Sequence, residues 1–398
     1  MFPHRSPAQA KQPVFSTLRF SIAHYVPRER RFEYRFLRRH GVYSSVLCRG
    51  ALLLILAVSG LCGNIFAQSE VLPAPWHSQP LHIDPAARDR SLPQISNGYI
   101  WSFRYYVNAP DNDALVLESA ANGKQSRVPF WISGAAEVWL EDVTVVSNGS
   151  ILVAGSFTRP GDPAQQNYIA RLDASGKLLR RIDLGEYEPE RICATGESIW
   201  TLGQIWGAEL QDDSYRLLRK YSSTGRLLAA YAERRDLPVH ELNLSVRLHN
   251  VGGAHDRVFL RCSSQTIGAY IGPGKTWLEV EVPTGQVTNW KVNIPSHWSR
   301  ITGLVFLGSQ NVYASFVTPS EPGVAPSRGI FRLQFTSQLS ASWKSVELKT
   351  STNSGQITPT RLIGEDQSNI VSVGYDAADG VGTLFWSRPH APSSGATR

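Results

Sequence analysis

The sequence predicts an all-β protein, a six-bladed β-propeller with four-stranded antiparallel blades that is closed by the N-terminal lead-in. A short aliphatic strand recurs along the chain, and its anchor residues lie 51, 48, 59, 54 and 58 positions apart. The anchors are Ile100, Ile151, Ile199, Val258, Val312 and Ile370. A hairpin turn keeps the same rhythm, and its copies are Asn122-Gly123, Ser175-Gly176, Thr224-Gly225 and Thr284-Gly285. A period of about 50 residues fits one blade per repeat, because a single sheet buries its faces only by stacking on its neighbours.

The clearest copy of the repeat runs from Val143 to Leu184. Runs rich in Val, Ile, Leu and Tyr alternate there with Asn-Gly and Ser-Gly turns, a pattern typical of antiparallel hairpins. The predicted strands are Val143–Val146, Ile151–Ser156, Tyr168–Asp173 and Leu178–Leu184. A long loop, Phe157–Asn167, is expected between the second and third strands. Spacings of 58 and 59 residues leave room for extra strands, so seven blades or a pair of β-sandwiches are the alternative architectures.

The first segment, residues 1–67, is predicted to be a basic leader and a secretory signal peptide. A basic region precedes the uncharged run Ala51–Ala67, and small or apolar residues stand before the expected cleavage after Ala67. The mature protein would begin at Gln68 and would be periplasmic or extracellular. The alternative is an uncleaved anchor, but the run is shorter than the roughly 20 apolar residues that a membrane span needs.

The net positive charge of the chain comes from this leader. The formal net charge is +7 and the pI is about 9.3. Residues 1–50 contain ten Lys and Arg but only two acidic residues, which leaves 30 basic and 31 acidic residues in the rest of the chain. Nucleic-acid binding therefore has no electrostatic support, and we expect no nucleic-acid partner.

The next segment, residues 68–95, is a Pro-rich lead-in that we expect to close the ring. The last repeat ends after Gly382–Ser387 with no fourth strand before the polar tail, which would leave an open edge. A strand around Leu81–Ile83 can supply the missing outer strand. The propeller then spans residues 96–388, and residues 389–398 are expected to be a disordered tail.

Two cysteines, Cys193 and Cys262, remain after removal of the leader. An oxidising compartment permits a disulfide between them, but two cysteines do not define a framework. Both lie within apolar runs, and the sequence favours two buried free thiols over a bridge.

Part of the repeat resembles a known class of sequence. Asn148–Ser156 (NGSILVAGS) followed by Tyr168–Leu178 (YIARLDASGKL) is similar to the NHL- and PQQ-style short repeats of secreted bacterial propeller proteins. The resemblance implies the fold and export. It carries no catalytic residues, because propellers host many unrelated functions.

Candidate binding residues lie in the segments predicted to join one blade to the next, around the mouth of the axis. Long loops on a rigid scaffold are frequent binding sites. The aromatic, His and Arg in His297-Trp298-Ser299-Arg300 could stack on and hydrogen-bond a sugar or another planar ligand. The alternative for Trp298 is packing between blades. The full candidate set is Arg191, His240, His297, Trp298, Arg300 and Arg361.

Motifs for catalysis or metal binding are missing from the sequence. It has no His-x-x-x-His or His-Glu-x-x-His spacing, no Gly-x-Ser-x-Gly elbow, no phosphate-binding Gly-x-x-x-x-Gly-Lys-Ser/Thr loop and no Cys-x-x-Cys. No catalytic residue, metal ligand or cofactor is therefore predicted, with Ca²⁺ and pyrroloquinoline quinone as the alternatives to test.

These observations favour a noncatalytic binding or scaffolding module for a protein or a small ligand. We expect a monomer, with membrane contact only through an uncleaved leader. The alternative is an extracytoplasmic propeller enzyme, such as a lyase, a hydrolase or a quinone-dependent dehydrogenase, with a site at the axial mouth. Catalytic groups can be assembled from different blades without a linear motif, so the missing motifs disfavour the enzyme without excluding it.

Overall fold

The computed structural model describes residues within the unit Ala67–Arg398. The described residues are 70–72, 75, 77–81, 87–89, 93–106, 113–128, 130–205, 214–236, 258–272, 275–294, 298, 300–318, 327–336, 338–348, 361–375 and 382–388. The predicted leader, the predicted tail and the candidates His240 and His297 lie outside these ranges. Within them the all-β class is confirmed, since the only helical segment is one 3-10 turn, Arg234–Asp236.

The described part of the chain contains 26 strands. They are β1 (Glu70–Leu72), β2 (His77–Leu81), β3 (Ala87–Asp89), β4 (Gln94–Ser96), β5 (Tyr99–Tyr106), β6 (Asp113–Ser119), β7 (Gln125–Val128), β8 (Glu137–Val145), β9 (Ile151–Arg159), β10 (Asp162–Leu172), β11 (Leu178–Gly185), β12 (Tyr187–Thr195), β13 (Ser198–Ile205), β14 (Arg216–Ser222), β15 (Leu227–Glu233), β16 (Val258–Cys262), β17 (Thr266–Ile271), β18 (Thr276–Glu281), β19 (Val287–Asn293), β20 (Arg300–Phe306), β21 (Val312–Val317), β22 (Arg328–Phe335), β23 (Ser340–Leu348), β24 (Arg361–Asp366), β25 (Asn369–Tyr375) and β26 (Gly382–Ser387).

The strands form a propeller-like arrangement of antiparallel meanders. Three four-stranded sheets have the orders β11-β10-β9-β8, β12-β13-β14-β15 and β2-β26-β25-β24. A five-stranded sheet has the order β3-β5-β6-β7, with β4 also paired to β5. In the sheet β2-β26-β25-β24, the lead-in strand β2 pairs antiparallel with β26, so the lead-in and the last described strand share one sheet.

The prediction of six separate four-stranded blades is wrong, because the fifth sheet has nine strands. It contains two antiparallel meanders, β16 to β19 and β20 to β23, whose last strands pair in parallel. The register of that pairing places Lys291 opposite Ser340 and Asn293 opposite Ser342. Strand β1 adds in parallel farther along β23. Unpaired backbone groups at a sheet edge favour such additions, and the repeat pattern holds no information about them.

We call β4, β8, β12, β16, β20 and β24 the inner strands, because they contact one another in that order and β24 returns to β4. The hydrophobic core lies between neighbouring meanders rather than within one of them. One cluster, for example, joins Trp200 and Leu218 to Leu260, Ile267 and Leu278, and five further clusters join the other neighbouring pairs. A four-stranded sheet is too thin to bury its own faces, so each meander is stabilised by the next one.

Two predicted boundaries are wrong. The expected loop Phe157–Asn167 is mostly strand, since β9 and β10 continue to a tight turn and Asp162 pairs with Arg159. The fourth repeat is misaligned, because Val258 begins the first strand of its meander and the second strand is β17. The anchor equivalent to Ile199 in that repeat is therefore in β17, which explains part of the uneven spacing.

Cys193 and Cys262 form a disulfide, so the expectation of free thiols is wrong. Their Cα atoms are 5.7 Å apart and the residues are 69 positions apart in the chain. Cys193 lies on β12 and Cys262 ends β16. The sequence alignment of the fourth repeat assigned Cys262 to a second strand, whereas it assigned Cys193 to a first strand. Both cysteines lie on first strands, β12 and β16, which are adjacent inner strands.

Candidate functional site: the inner-strand cluster

Four inner strands carry a one-residue β-bulge at the same point of the repeat. The register shifts by one residue between Leu140 and Asp142, Pro189 and Arg191, Ile301 and Gly303, and Leu362 and Gly364. Bulges bend a strand and redirect its side chains. The glycine opposite two of these bulges is required, because a Cβ at Gly155 or Gly203 would lie 2.1 or 2.0 Å from a backbone oxygen of the bulged strand.

Charged side chains next to three of these bulges and on β16, which has no bulge, form together with the uncharged Gln94 on β4 what we call the inner-strand cluster. Its members come from five different inner strands. They are Gln94 on β4, Asp142 on β8, Arg191 on β12, Arg261 on β16 and Glu365 on β24.

Asp142 ties β8 to β12. Its side chain is buried, and its Oδ2 accepts a hydrogen bond of 2.9 Å from the backbone N–H of Ile192. Burial raises the pKa of Asp142 above its ordinary value, while the charges of Arg191 and Arg261 and the Ile192 hydrogen bond act in the opposite direction. The carboxylate thus satisfies a backbone donor of the neighbouring meander and sits near two arginines.

Arg191 ties β12 to β16. Its Nε donates to the carbonyl oxygen of Val258 at 2.9 Å, and its Nη1 donates to the carbonyl of Glu190. The same pair of strands carries the disulfide between Cys193 and Cys262. Because two of its N–H groups donate to backbone carbonyls, the guanidinium of Arg191 is held in place and has a structural role.

Arg261 repeats this arrangement one meander farther on. Its Nε donates to Leu304 at 3.2 Å, its Nη1 donates to Leu260 at 3.0 Å, and its Nη2 donates to Oε1 of Gln94 at 3.1 Å. Burial lowers the pKa of Arg261, and the charge of Asp142 raises it. One side chain thereby joins β16 to β20 and to β4 on the other side of the cluster.

Glu365 is the member of the cluster that titrates near neutrality. Burial raises its pKa to about 7, although the charge of Arg261 lowers it, and Asp366 adds a smaller increase. Beside it, Gly364 approaches β4 so closely that a Cβ there would lie 2.7 Å from the Ile95 side chain. The carboxyl of Glu365 is therefore placed where the last inner strand meets the first.

The binding residues predicted from the sequence do not form one site in the part of the chain that the structure describes. Arg191 belongs to the inner-strand cluster, whereas Arg361 is buried and donates from Nε to the carbonyl of Thr302 at 3.0 Å. Trp298 packs edge-to-face on Phe331, with ring centroids 5.0 Å apart. Arg300 begins β20, and its side chain lies outside the described part.

Several of these residues lie in strands, not in loops between blades. Arg191, expected in a segment between blades, lies within β12, and Arg300 and Arg361 begin β20 and β24. The bulges explain the difference, because they let a strand carry charged residues at positions that break its alternation.

Sequence reasoning missed Asp142, Arg261, Gln94 and Glu365. One signal was present, since Asp142 and Arg261 each interrupt an apolar run, WLEDVTVV and VFLRC. A charged side chain within a buried strand requires a partner, but the sequence does not say which of the other strands supplies it.

No group of three or more His, Cys, Asp and Glu side chains is placed to hold a metal ion in the part of the chain that the structure describes. Within the same ranges, no helix has the length and apolar character for a membrane crossing.

Comparison with known proteins leaves the family open. No family model matches the chain, and neither does any curated protein. Among solved structures, it is similar to U3-55K, with a TM-score of 0.40, 10% identity and coverage of 79% of this chain and 99% of that one. It is also similar to a structure of S. cerevisiae Dbp5 bound to Nup159, Gle1, IP6 and ADP, with a TM-score of 0.34, 9% identity and coverage of 81% and 98%.

A third similar structure is the computationally designed protein Ika4, with a TM-score of 0.27, 15% identity and coverage of 50% of this chain and 94% of that one. All three TM-scores are below 0.5, so these similarities carry no argument about activity or partners.

Proposed function

We propose that this protein is a noncatalytic binding or scaffolding module for a protein or a small ligand. The observation that carries the proposal is the use of the charged inner-strand groups. Arg191, Arg261 and Arg361 each donate to a backbone carbonyl on a neighbouring inner strand, and Asp142 accepts from the backbone N–H of Ile192. Groups used in this way fix the scaffold, and binding is then left to the loops and the outer surface.

The test is a thermal-shift screen of the purified protein against Ca²⁺, pyrroloquinoline quinone, sugars and peptides. A ligand that binds only the folded state must raise the unfolding midpoint. The alternative enzyme would show a shift with a small molecule or the quinone that is lost in the variants His297→Ala and Arg300→Ala. A shift with peptides alone supports the binding module, and turnover of any shifting compound contradicts it.

We also propose that the protein is exported and that its leader is removed after Ala67. The disulfide between Cys193 and Cys262 supports this, because such bonds persist in oxidising compartments and are rare in the cytosol. The similarity of its best repeat to repeats of secreted bacterial proteins favours the same localisation. N-terminal sequencing of the exported protein should begin at Gln68. A protein that retains the leader, or that carries two free thiols in the cell, would contradict the proposal.

A further inference from the structure

We propose that the open edge of β15 is a docking site for an extended acidic peptide segment, which adds to it as a fifth strand. This inference rests on the proposed binding function and names the partner class. Strand β15 is the last strand of its sheet, and no described strand pairs with its outer edge. It is seven residues long, so it spans about 23 Å, enough for a peptide of six or seven residues.

The outer edge of β15 lacks the charges and prolines that normally prevent strand addition, although its register with β14 shifts by one residue at Leu228, as the register of β11 with β10 does at Leu179. From Leu227 to Ala232 the strand has no charged residue and no proline. Leu227 and Leu228 are 49% and 43% exposed. Proteins usually protect an exposed edge with charges, prolines or short strands. An uncharged edge with exposed leucines is therefore either an interaction site or a site of aggregation.

The neighbouring rim strand β11 shows the contrast. It has a similar pair of leucines, Leu178 and Leu179, which are 39% and 55% exposed. Three charged residues, Arg180, Arg181 and Asp183, then follow within the strand. Its edge is therefore protected in the way that the edge of β15 is not.

Strand addition is how this protein covers other edges. The segment Glu70–Leu72, an acidic residue followed by two apolar ones, lies parallel on Val346, Glu347 and Leu348 of β23. Strand β2 covers β26 in the antiparallel sense. The same solution is available at β15 for a segment that comes from another molecule.

The charges around β15 favour an acidic partner. Arg226 is exposed at the start of the strand, and Arg234, Arg235 and Asp236 follow its end, so arginines outnumber acidic residues there. Glu233, the only acidic residue of β15, already makes ion pairs with Arg216 and Arg235. An apolar segment with acidic residues at both ends would place its carboxylates near the arginines at the two ends of β15. The charges of the two molecules would then be complementary.

The experiment measures binding of a fluorescent peptide, Ac-EEVLVVLEE-amide, to the purified protein by fluorescence anisotropy. The matched basic peptide, Ac-KKVLVVLKK-amide, is the charge control. We expect saturable binding of the acidic peptide that weakens with added salt, and binding of the basic peptide at least tenfold weaker.

Two matched variants test the location. Leu227→Gln with Leu228→Gln should weaken binding by roughly tenfold or more, because two apolar side chains lose their contact area. Leu178→Gln with Leu179→Gln, the same change on β11, should alter affinity less than about twofold, because β11 lies outside the proposed interface. Both double variants change exposed residues only, and equal unfolding midpoints would show that the fold is kept.

Five outcomes would overturn the proposal. They are no binding of the acidic peptide, equal binding of both peptides, equal loss in the two double variants, self-association of the free protein through β15, and binding of anionic lipid vesicles instead of the peptide, which would assign the surface to a membrane. Failure here, together with a peptide or protein that binds elsewhere, would leave the proposed binding function intact.

Discussion

The inner strands and the rim strands, which are the last strands of the meanders, are stabilised in different ways. Five of the six neighbouring pairs of inner strands are linked by a side chain that bonds to the next strand, and one pair also by a disulfide. On the rim, β23 and β26 are covered by added strands, whereas β11 and β15 have no partner on their outer edges within the described chain.

We therefore expect the inner strands to determine the stability of the unit and the rim strands to determine binding. Links between the inner strands join repeats that are far apart in the chain, so their loss should destabilise the whole unit. Exposed leucines on the rim make few buried contacts, so their replacement should change binding and leave stability nearly unchanged. Three variants test how far the inner strands determine stability.

The largest effect is expected from removal of the disulfide. Replacing Cys193 and Cys262 by Ala frees a loop of 69 residues and should lower the free energy of unfolding by about 4 kcal/mol, on the chain-entropy estimate. Urea unfolding of the two proteins measures the difference. A loss below about 1 kcal/mol would mean that the bond does not support the junction of β12 and β16.

Asp142→Ala should have the next largest effect. The substitution leaves the Ile192 N–H without its acceptor and removes the negative charge near Arg191 and Arg261. Loss of one partner from a buried charged network costs about 3 kcal/mol. Asp142→Asn is the control, because its amide oxygen can still accept from Ile192, and it should lose less. Equal losses in the two variants would show that the hydrogen bond to β12 is unimportant.

Glu365→Gln should change how stability depends on pH. In the folded protein the pKa of Glu365 is about 7, above its ordinary value of 4.5, so folding favours the protonated carboxyl. The stabilisation from this group is complete below the ordinary pKa and is lost as the pH rises to about 7. Relative to the variant, the wild-type protein should therefore lose roughly 2 kcal/mol between pH 5 and pH 8. Parallel stability curves over this range would contradict the burial of Glu365 beside β4.

The sequence was sufficient for the fold class and for most of the repeats. The period of the aliphatic strands placed the second strand of a meander correctly at Ile151, Ile199, Val312 and Ile370. These strands are the most buried, and burial on both faces produces the uninterrupted aliphatic pattern that sequence analysis detects.

The inner strands were harder to predict, because their bulges carry charged residues such as Glu141 and Glu190 and resemble loops. Pairing of β19 with β23 depends on where two distant edges meet, and the disulfide depends on the alignment of the fourth repeat. The residues of the inner-strand cluster are likewise brought together by contacts between repeats. None of these contacts produces a periodic pattern in the sequence.

Hydrogen–deuterium exchange with and without the acidic peptide tests the central claim, that the inner strands stabilise the scaffold and the open rim binds. We expect slow exchange at β8, β12 and β16 in both samples, and protection at β15 only when the peptide is present. Protection by the peptide at the inner strands, with β15 unchanged, would contradict it and would place the binding site at the inner-strand cluster.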